Sequence, residues 1–425
     1  MAAPKLVLDA DARPRDLLSQ QIREANYPWT VPETTAYLDH AATTPMVPEA
    51  VAAFSEHAAL IGNPSSLHTA GRTARRVVEE SRELIAGCFG ALPAEVVFTS
   101  GGTEANNLAI KGFAWAGRQR GRARLVVSAI EHHAVLDPVD WLVDDRGADI
   151  ASIGVDRHGR LDLDGLRAEL AHDADSVALV SVMWANNEVG TVQPIADVVA
   201  AAAAQGLPVH SDAVQAAGHL PLDFGGSGLA AMTVTAHKLG GPVGVGALLL
   251  QREQAPTPLL HGGGQERQVR SGTIPAPLIA SFAAAVDVAE RRRAETTTRL
   301  TGPRTRLVEG VRALDPLAIV NEGADAADRL PHIAHVSFPG CEAETLLLML
   351  DAEGIACSAG SACAAGVPQA SHVPLAMGLD APTARGSLRF SFGHTSSDAD
   401  VDAVLAALPS IIERSRAASF LRTGR

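Results

Sequence analysis

Lysine is almost missing from this 425-residue chain. Lys5, Lys111 and Lys238 are the whole complement, and the remaining basic residues among the 35 are arginine. Any chemistry that needs a side-chain amine therefore has three candidates. Aromatic residues make up only 4%, so the core must be built mostly from Ala, Val, Leu and Ile. Cysteine is also scarce. Cys88, Cys341, Cys357 and Cys363 contain no CxxC pair and no Cys/His spacing of a zinc site. Four cysteines in so long a chain are no disulfide framework, and a reducing compartment fits best. No run of about 18 apolar residues could span a membrane. The first twenty residues lack the apolar stretch of a signal peptide. Positive charge is in deficit, with a net charge of −13. That balance argues against general binding to nucleic acid or to an anionic membrane. A cytoplasmic protein is expected, with no direct nucleic-acid or membrane partner.

What is present is ordinary for a globular protein: 47% hydrophobic and 20% charged residues. The length allows two or three domains. Residues 1–30 are polar and weakly patterned and read as an N-terminal extension. From residue 95 apolar runs alternate with helical patterns. EVVFT, RLVVSAI, SVALVSVMW, PVHSDAV, MTVTA and VGALLL read as strands. TEANNLAIKGFAWAG, HAVLDPVDWLVDD and IADVVAAAAAQG read as helices between them. This alternation predicts an α/β fold with a large, mostly parallel sheet covered on both faces. Residues 281–315 read as a long charged helix broken at Gly302-Pro303. The strands IAHVSF and GSLRFSF then predict a smaller C-terminal α+β domain. The expected division is a large cofactor-binding domain over 31–290, and a helical linker with the small domain over 291–425. The stretch 358–373, rich in small residues, is expected to be a functional surface loop.

Lys238 follows a strand and precedes glycines, in TAHKLGG. A solvated surface lysine is the ordinary alternative, but a partly buried one has a lowered pKa and suits Schiff-base chemistry. In SGGTEANN a strand runs through two glycines and Thr103 into a helix, whose N-terminus attracts anions such as phosphate. It is not a Walker loop, because GxxxxGK[ST] is absent. Asp212 stands at the C-terminal end of a strand, where α/β sheets bind ligands, although Asp is also a common helix cap. His132 and His133 follow another strand, with helix capping or core packing as the ordinary alternative. Arg389 alternates with apolar neighbours on a strand and could fork a carboxylate. Cys363, in the small-residue loop, is the best nucleophile candidate of the four cysteines. Together these groups describe a pyridoxal-phosphate enzyme acting on an amino acid, with sulfur chemistry added by the loop cysteine.

The blocks YLDHAATTP, GNPSSLH, SGGTEANNLAIKG, EHHAVLD, NNEVGTVQPI, HSDAVQ, AHKLGGPVGVGAL, HGGGQERQVRSGT, SAGSAC and SLRFSFGH resemble the cysteine desulfurases. The likeness is to the NifS/IscS-type branch of the class V aminotransferases, over about residues 36–415. It implies a type I pyridoxal-phosphate (aspartate-aminotransferase-like) fold and a homodimer. Lys238 would hold the cofactor as a Schiff base, Asp212 would keep the ring nitrogen protonated, and His132 would stack on the ring. Gln215 would bond the phenolic oxygen. Gly102, Thr103, Thr235 and His237 would bind the phosphate, joined by Thr273 of the other subunit. Asn187 and Arg389 would hold the substrate carboxylate. Cys363 would accept sulfur from L-cysteine as a persulfide, leaving L-alanine. That persulfide would pass to an iron–sulfur scaffold or a tRNA-thiolation protein, and could ligate a nascent cluster shared with the scaffold. The alternative is a selenocysteine lyase, or another class V lyase or aminotransferase. Thr235 and Ala236 stand where Ser and Gly are usual, and Thr235 keeps the hydroxyl.

Overall fold

The computed structural model describes residues 36–359 and 370–423. In chain order the first strands are β1 (Ala36–Tyr37), β2 (Val96–Thr99), β3 (Arg124–Ser128), β4 (Asp149–Ile153), β5 (Val177–Ser181), β6 (Val209–Asp212), β7 (Ala231–Thr235) and β8 (Gly246–Leu250). Seven of them form one sheet in the order β2-β8-β7-β6-β5-β3-β4. Every pair from β7 to β4 is parallel, and β8 runs antiparallel between β7 and β2. The expected mostly parallel sheet is therefore present.

Strand periodicity sends alternate side chains to opposite faces. Val96, Phe98, Val126, Val180, Met232, Val234 and Leu249 pack on one face, with the helices Thr69–Cys88, Ile195–Ala203 and the start of Ala276–Leu314. Val97, Leu125, Val127, Leu179, Ala231 and Leu248 pack on the other, with Gly102–Arg118 and His133–Arg146. Burial on both faces explains why these strands read as continuous apolar runs.

A second core surrounds β9 (Ile319–Asn321), β10 (Ile333–Ser337) and β12 (Ser387–Ser391), which pair antiparallel in the order β12-β10-β9. β11 (Ile355–Ala356) pairs in parallel with β1. Ala36 and Leu38 are buried here beside Phe338, Phe390 and Leu408, 300 or more positions away in sequence. The expected helix break at Gly302-Pro303 does not occur: Ala276–Leu314 is one helix with Pro303 inside it. Proline removes one amide donor from the ladder. Arg299, whose carbonyl loses that donor, is exposed, and Leu300, Arg304, Leu307 and Val311 hold the helix to the second core on the opposite face. Among the described residues no helix is long and apolar enough to cross a membrane.

Candidate active site

The C-terminal ends of β3, β5, β6 and β7 open on a cavity of about 630 Å³. Gly102, Thr103, His132, Asn187, Asp212, Gln215, Thr235, His237, Lys238 and Arg389 all line it. The structure thus gathers ten of the twelve residues singled out in the sequence. Thr273, expected from a second subunit, is exposed and outside this lining. Cys363 lies outside the described residues, between Ser358 and His372, which both face the cavity.

Lys238 ends the single turn Ala236–Lys238 that follows β7. Its ammonium donates to the carbonyl oxygens of Ala41 and, at 2.6 Å, of Ala42. Burial, helped by the positive charge of Arg389, lowers its pKa from 10.5 to about 8. A far larger neutral fraction is then present near neutral pH than an ordinary lysine has, as a nucleophilic or basic amine requires. Gln215 Nε2 donates to the same Ala41 carbonyl over 2.9 Å and keeps a second amide hydrogen for another acceptor.

Asp212 is buried at the end of β6. Its Oδ1 accepts from the Val214 amide at 2.9 Å and its Oδ2 accepts from Asn106 Nδ2 at 2.6 Å. The cap-like turn and the site role therefore coexist in one side chain. His132 also does both. Its Nδ1 caps the helix His133–Arg146 by accepting from the Ala134 amide at 3.0 Å. His132 is exposed and lines the cavity, and desolvation by the protein around it lowers its pKa. His237 is pulled down to about 4 by burial and by the neighbouring Lys238 charge.

At the phosphate-like corner, the helix Gly102–Arg118 directs its first amides, which have no partner within the helix, beside Thr235 and His237. Gly101 has φ 151°, which favours glycine. A side chain at Gly102 would press on Val214 at 3.1 Å. Across the cavity Arg389 is only 4% exposed, so it is no surface charge. Its guanidinium donates to the Asn187 carbonyl at 2.9 Å and to Asp39 Oδ1 at 2.8 Å, while its Nε is buried with no partner among the described residues.

The residues fit pyridoxal 5'-phosphate. A buried carboxylate, a lysine of lowered pKa, a helix N-terminus and an arginine with unused hydrogen-bonding capacity share one cavity, and Asn106 Oδ1 has no partner there among the described residues. Sequence reasoning gave no role to Asn106 or Asp39. Asn106 lies one turn beyond Gly102 on the same helix face, a spacing that could have pointed to it.

A model of the aminotransferase class-V family matches residues 36–404. The chain belongs to the class-V aminotransferase family. This family uses pyridoxal 5'-phosphate, in agreement with the cavity. The chain is 55% identical over 392 residues to an IscS-like cysteine desulfurase of Mycobacterium tuberculosis, covering 92% of this chain and 99% of that protein. It is 38% identical to the cysteine desulfurase IscS of Methanosarcina thermophila, over 89% of this chain and 92% of the relative. A solved NifS-like protein superposes with a TM-score of 0.81 at 33% identity, covering 89% of this chain and 98% of that one. The class-V chain therefore has the type I pyridoxal-phosphate fold expected from its motifs.

Proposed function

We propose that this class-V enzyme is a cysteine desulfurase that converts L-cysteine to L-alanine and keeps the sulfur as a persulfide on Cys363. The observation that carries this reading is the meeting of Lys238, Asp212 and Arg389 in one cavity, which Ser358 and His372, on either side of Cys363 in sequence, also line. The identity to relatives named as cysteine desulfurases supports it.

Each residue then has a task. Bound pyridoxal 5'-phosphate supplies an electron sink for bond breaking at the substrate Cα. Lys238 anchors that group and moves the Cα proton, which its lowered pKa favours. Asp212 holds a positive ring nitrogen, fixed in place by Asn106. His132 covers the ring face, and Gln215 donates towards the phenolic oxygen. Gly102, Thr103, Thr235 and His237 hold the phosphate, with Thr273 from a second subunit. Asn187 and Arg389 hold the substrate carboxylate. The Cys363 thiolate attacks the substrate sulfur, the carbon–sulfur bond breaks, and L-alanine leaves.

The same reading makes the enzyme a cytoplasmic homodimer. Thr273 stands outside its own cavity, and Ile61, Leu67 and Val243 are 84%, 85% and 70% exposed. Its sulfur goes to an iron–sulfur scaffold or another acceptor protein. Division near residue 290 into a cofactor-binding part and a smaller C-terminal part belongs to the same proposal.

The test adds L-cysteine to the wild type and to Cys363→Ala. Alanine and a protein-bound persulfide are expected from the wild type only. Equal alanine release from both would remove Cys363 from the mechanism and favour a lyase, with selenocysteine as the next substrate to try.

A further inference from the structure

Arg389 lines the cavity but is held by a residue that does not, Asp39. Its Nη2 donates to Asp39 Oδ1 at 2.8 Å, and its Nη1 donates to the Asn187 carbonyl at 2.9 Å. A guanidinium has five N–H groups. Nε is enclosed by protein and cannot reach a ligand, which leaves one hydrogen on each terminal nitrogen. Two such hydrogens match the two oxygens of a carboxylate.

The backbone at Asp39 is hydrogen-bonded to β12, the strand that carries Arg389. The Ser391 amide donates to the Leu38 carbonyl at 2.7 Å, and the His40 amide donates to the Ser391 carbonyl at 3.3 Å. The Ala41 amide donates to Ser391 Oγ at 2.8 Å. Arg389 and Ser391 are alternate residues of β12, so their side chains share a face. The Arg389 backbone is itself paired with Ser358, with N–H to carbonyl distances of 2.7 and 3.1 Å. Carboxylate and guanidinium are thus mounted on neighbouring segments that have little freedom to drift apart. The Arg389 side chain is 5% exposed and that of Asp39 24%, so water screens this pair less than a surface pair.

We infer that Asp39 is the positioning residue of the substrate-carboxylate clamp, aiming the free hydrogens of Arg389 into the cavity from outside it. An arginine without such a partner gives up rotamer freedom when a ligand binds, and the loss lowers affinity. With Asp39 in place that ordering is complete before the ligand arrives. The Asp39 charge itself repels an incoming carboxylate, so its contribution is aim and not attraction. The inference rests on the assignment of the substrate carboxylate to Arg389 above, and not on the sulfur chemistry of Cys363.

The test uses the protein loaded with pyridoxal 5'-phosphate and compares L-alanine with ethylamine, which lacks only the carboxylate. Absorbance of the bound cofactor reads both affinities, and their ratio reads the clamp. The wild type should favour L-alanine. Asp39→Asn keeps an acceptor oxygen and should keep that preference. Asp39→Ala should have a ratio about tenfold or more below that of Asp39→Asn. Both variants lose the same charge, so the difference between them reports the hydrogen bond. Equal ratios in the two variants would overturn the inference while leaving Arg389 as the clamp. Absence of any preference in the wild type would remove the carboxylate role of Arg389 and the inference with it. A crystal structure of the wild type with L-alanine decides the matter if Asp39→Ala does not fold. Arg389 should then bond the ligand carboxylate through both terminal nitrogens while still bonded to Asp39, and an Arg389 parted from Asp39 would refute its positioning role.

Discussion

Asn106 donates to Asp212 over 2.6 Å inside the protein, and its own carbonyl oxygen has no partner among the described residues. The contact fixes the carboxylate in a cavity where rotation would turn its charge away from a bound ring. A hydrogen bond to a charged group contributes about 1.5–3 kcal/mol. Asn106→Ala should therefore weaken pyridoxal 5'-phosphate binding by roughly 10–100-fold. Asn106→Asp, which places like charge beside Asp212, should be worse. Equilibrium dialysis followed by absorbance reads the affinity, and wild-type affinity in Asn106→Ala would dismiss the positioning role.

Lys238 should react with amine reagents in the cofactor-free protein with a midpoint near pH 8, well below an ordinary lysine at 10.5. Lys5 and Lys111 are the only other side-chain amines, so peptide mass spectrometry resolves all three lysines. The sign for stability follows. Between those two pH values the unfolded chain holds a proton that the folded site rejects, so this group makes stability rise with pH across that window. Reaction of Lys238 only above pH 10 would contradict the lowered pKa.

A buried ion pair outside the site joins Arg82 and Glu266, with two contacts of 2.8 Å. Glu266 also accepts from the Phe98 amide at 2.9 Å and is 2% exposed. Nearby, Arg270 reaches Glu104 in the first turn of the helix that begins at Gly102. Glu266→Ala strands a buried guanidinium and should cost about 3–5 kcal/mol. Arg82→Met combined with Glu266→Leu should recover much of that loss. Denaturant unfolding measures both, and a loss below about 1 kcal/mol for Glu266→Ala would show the pair to be dispensable.

Cys357 and Cys88 should be poor substitutes for Cys363. Burial and the Asp39 charge push the Cys357 thiol far up, and burial with Glu290 pushes Cys88 to about 11. Cys357→Ala and Cys88→Ala should each keep persulfide formation within about twofold of wild type, whereas Cys363→Ala should abolish it. Mass spectrometry after L-cysteine addition decides, and a persulfide on Cys357 would refute this assignment.

Much of this architecture is legible in the residue order. Buried parallel strands such as VALVS declare themselves because both faces are apolar, and glycine-flanked Lys238 stands out because lysine is so rare. Other features depend on long-range packing. β4 is as long as VALVS, but its Asp149 and Ser152 are exposed, so its pattern is weak. Pro303 reads as a break, but anchoring of Leu300 and Leu307 in the second core holds the helix through it. Asp39 and Asn106 matter only through Arg389 and Asp212, partners 350 and 106 positions away. Such pairings carry no local signature.

The pairing of β1 with β11 also constrains how the protein is born. Ala36 meets Ile355, and Leu38 rests among Phe390, Phe392 and Val404. Those partners leave the ribosome last, whereas β2 to β8 are all synthesised by residue 250. The seven-stranded sheet can mature during translation, but β1, which leads into Ala41 and Ala42, has no strand partner until synthesis is nearly complete, and Arg389 joins the cavity only then. A truncated nascent chain should therefore bury its main sheet and still lack a complete site, so that competence arrives as one late event.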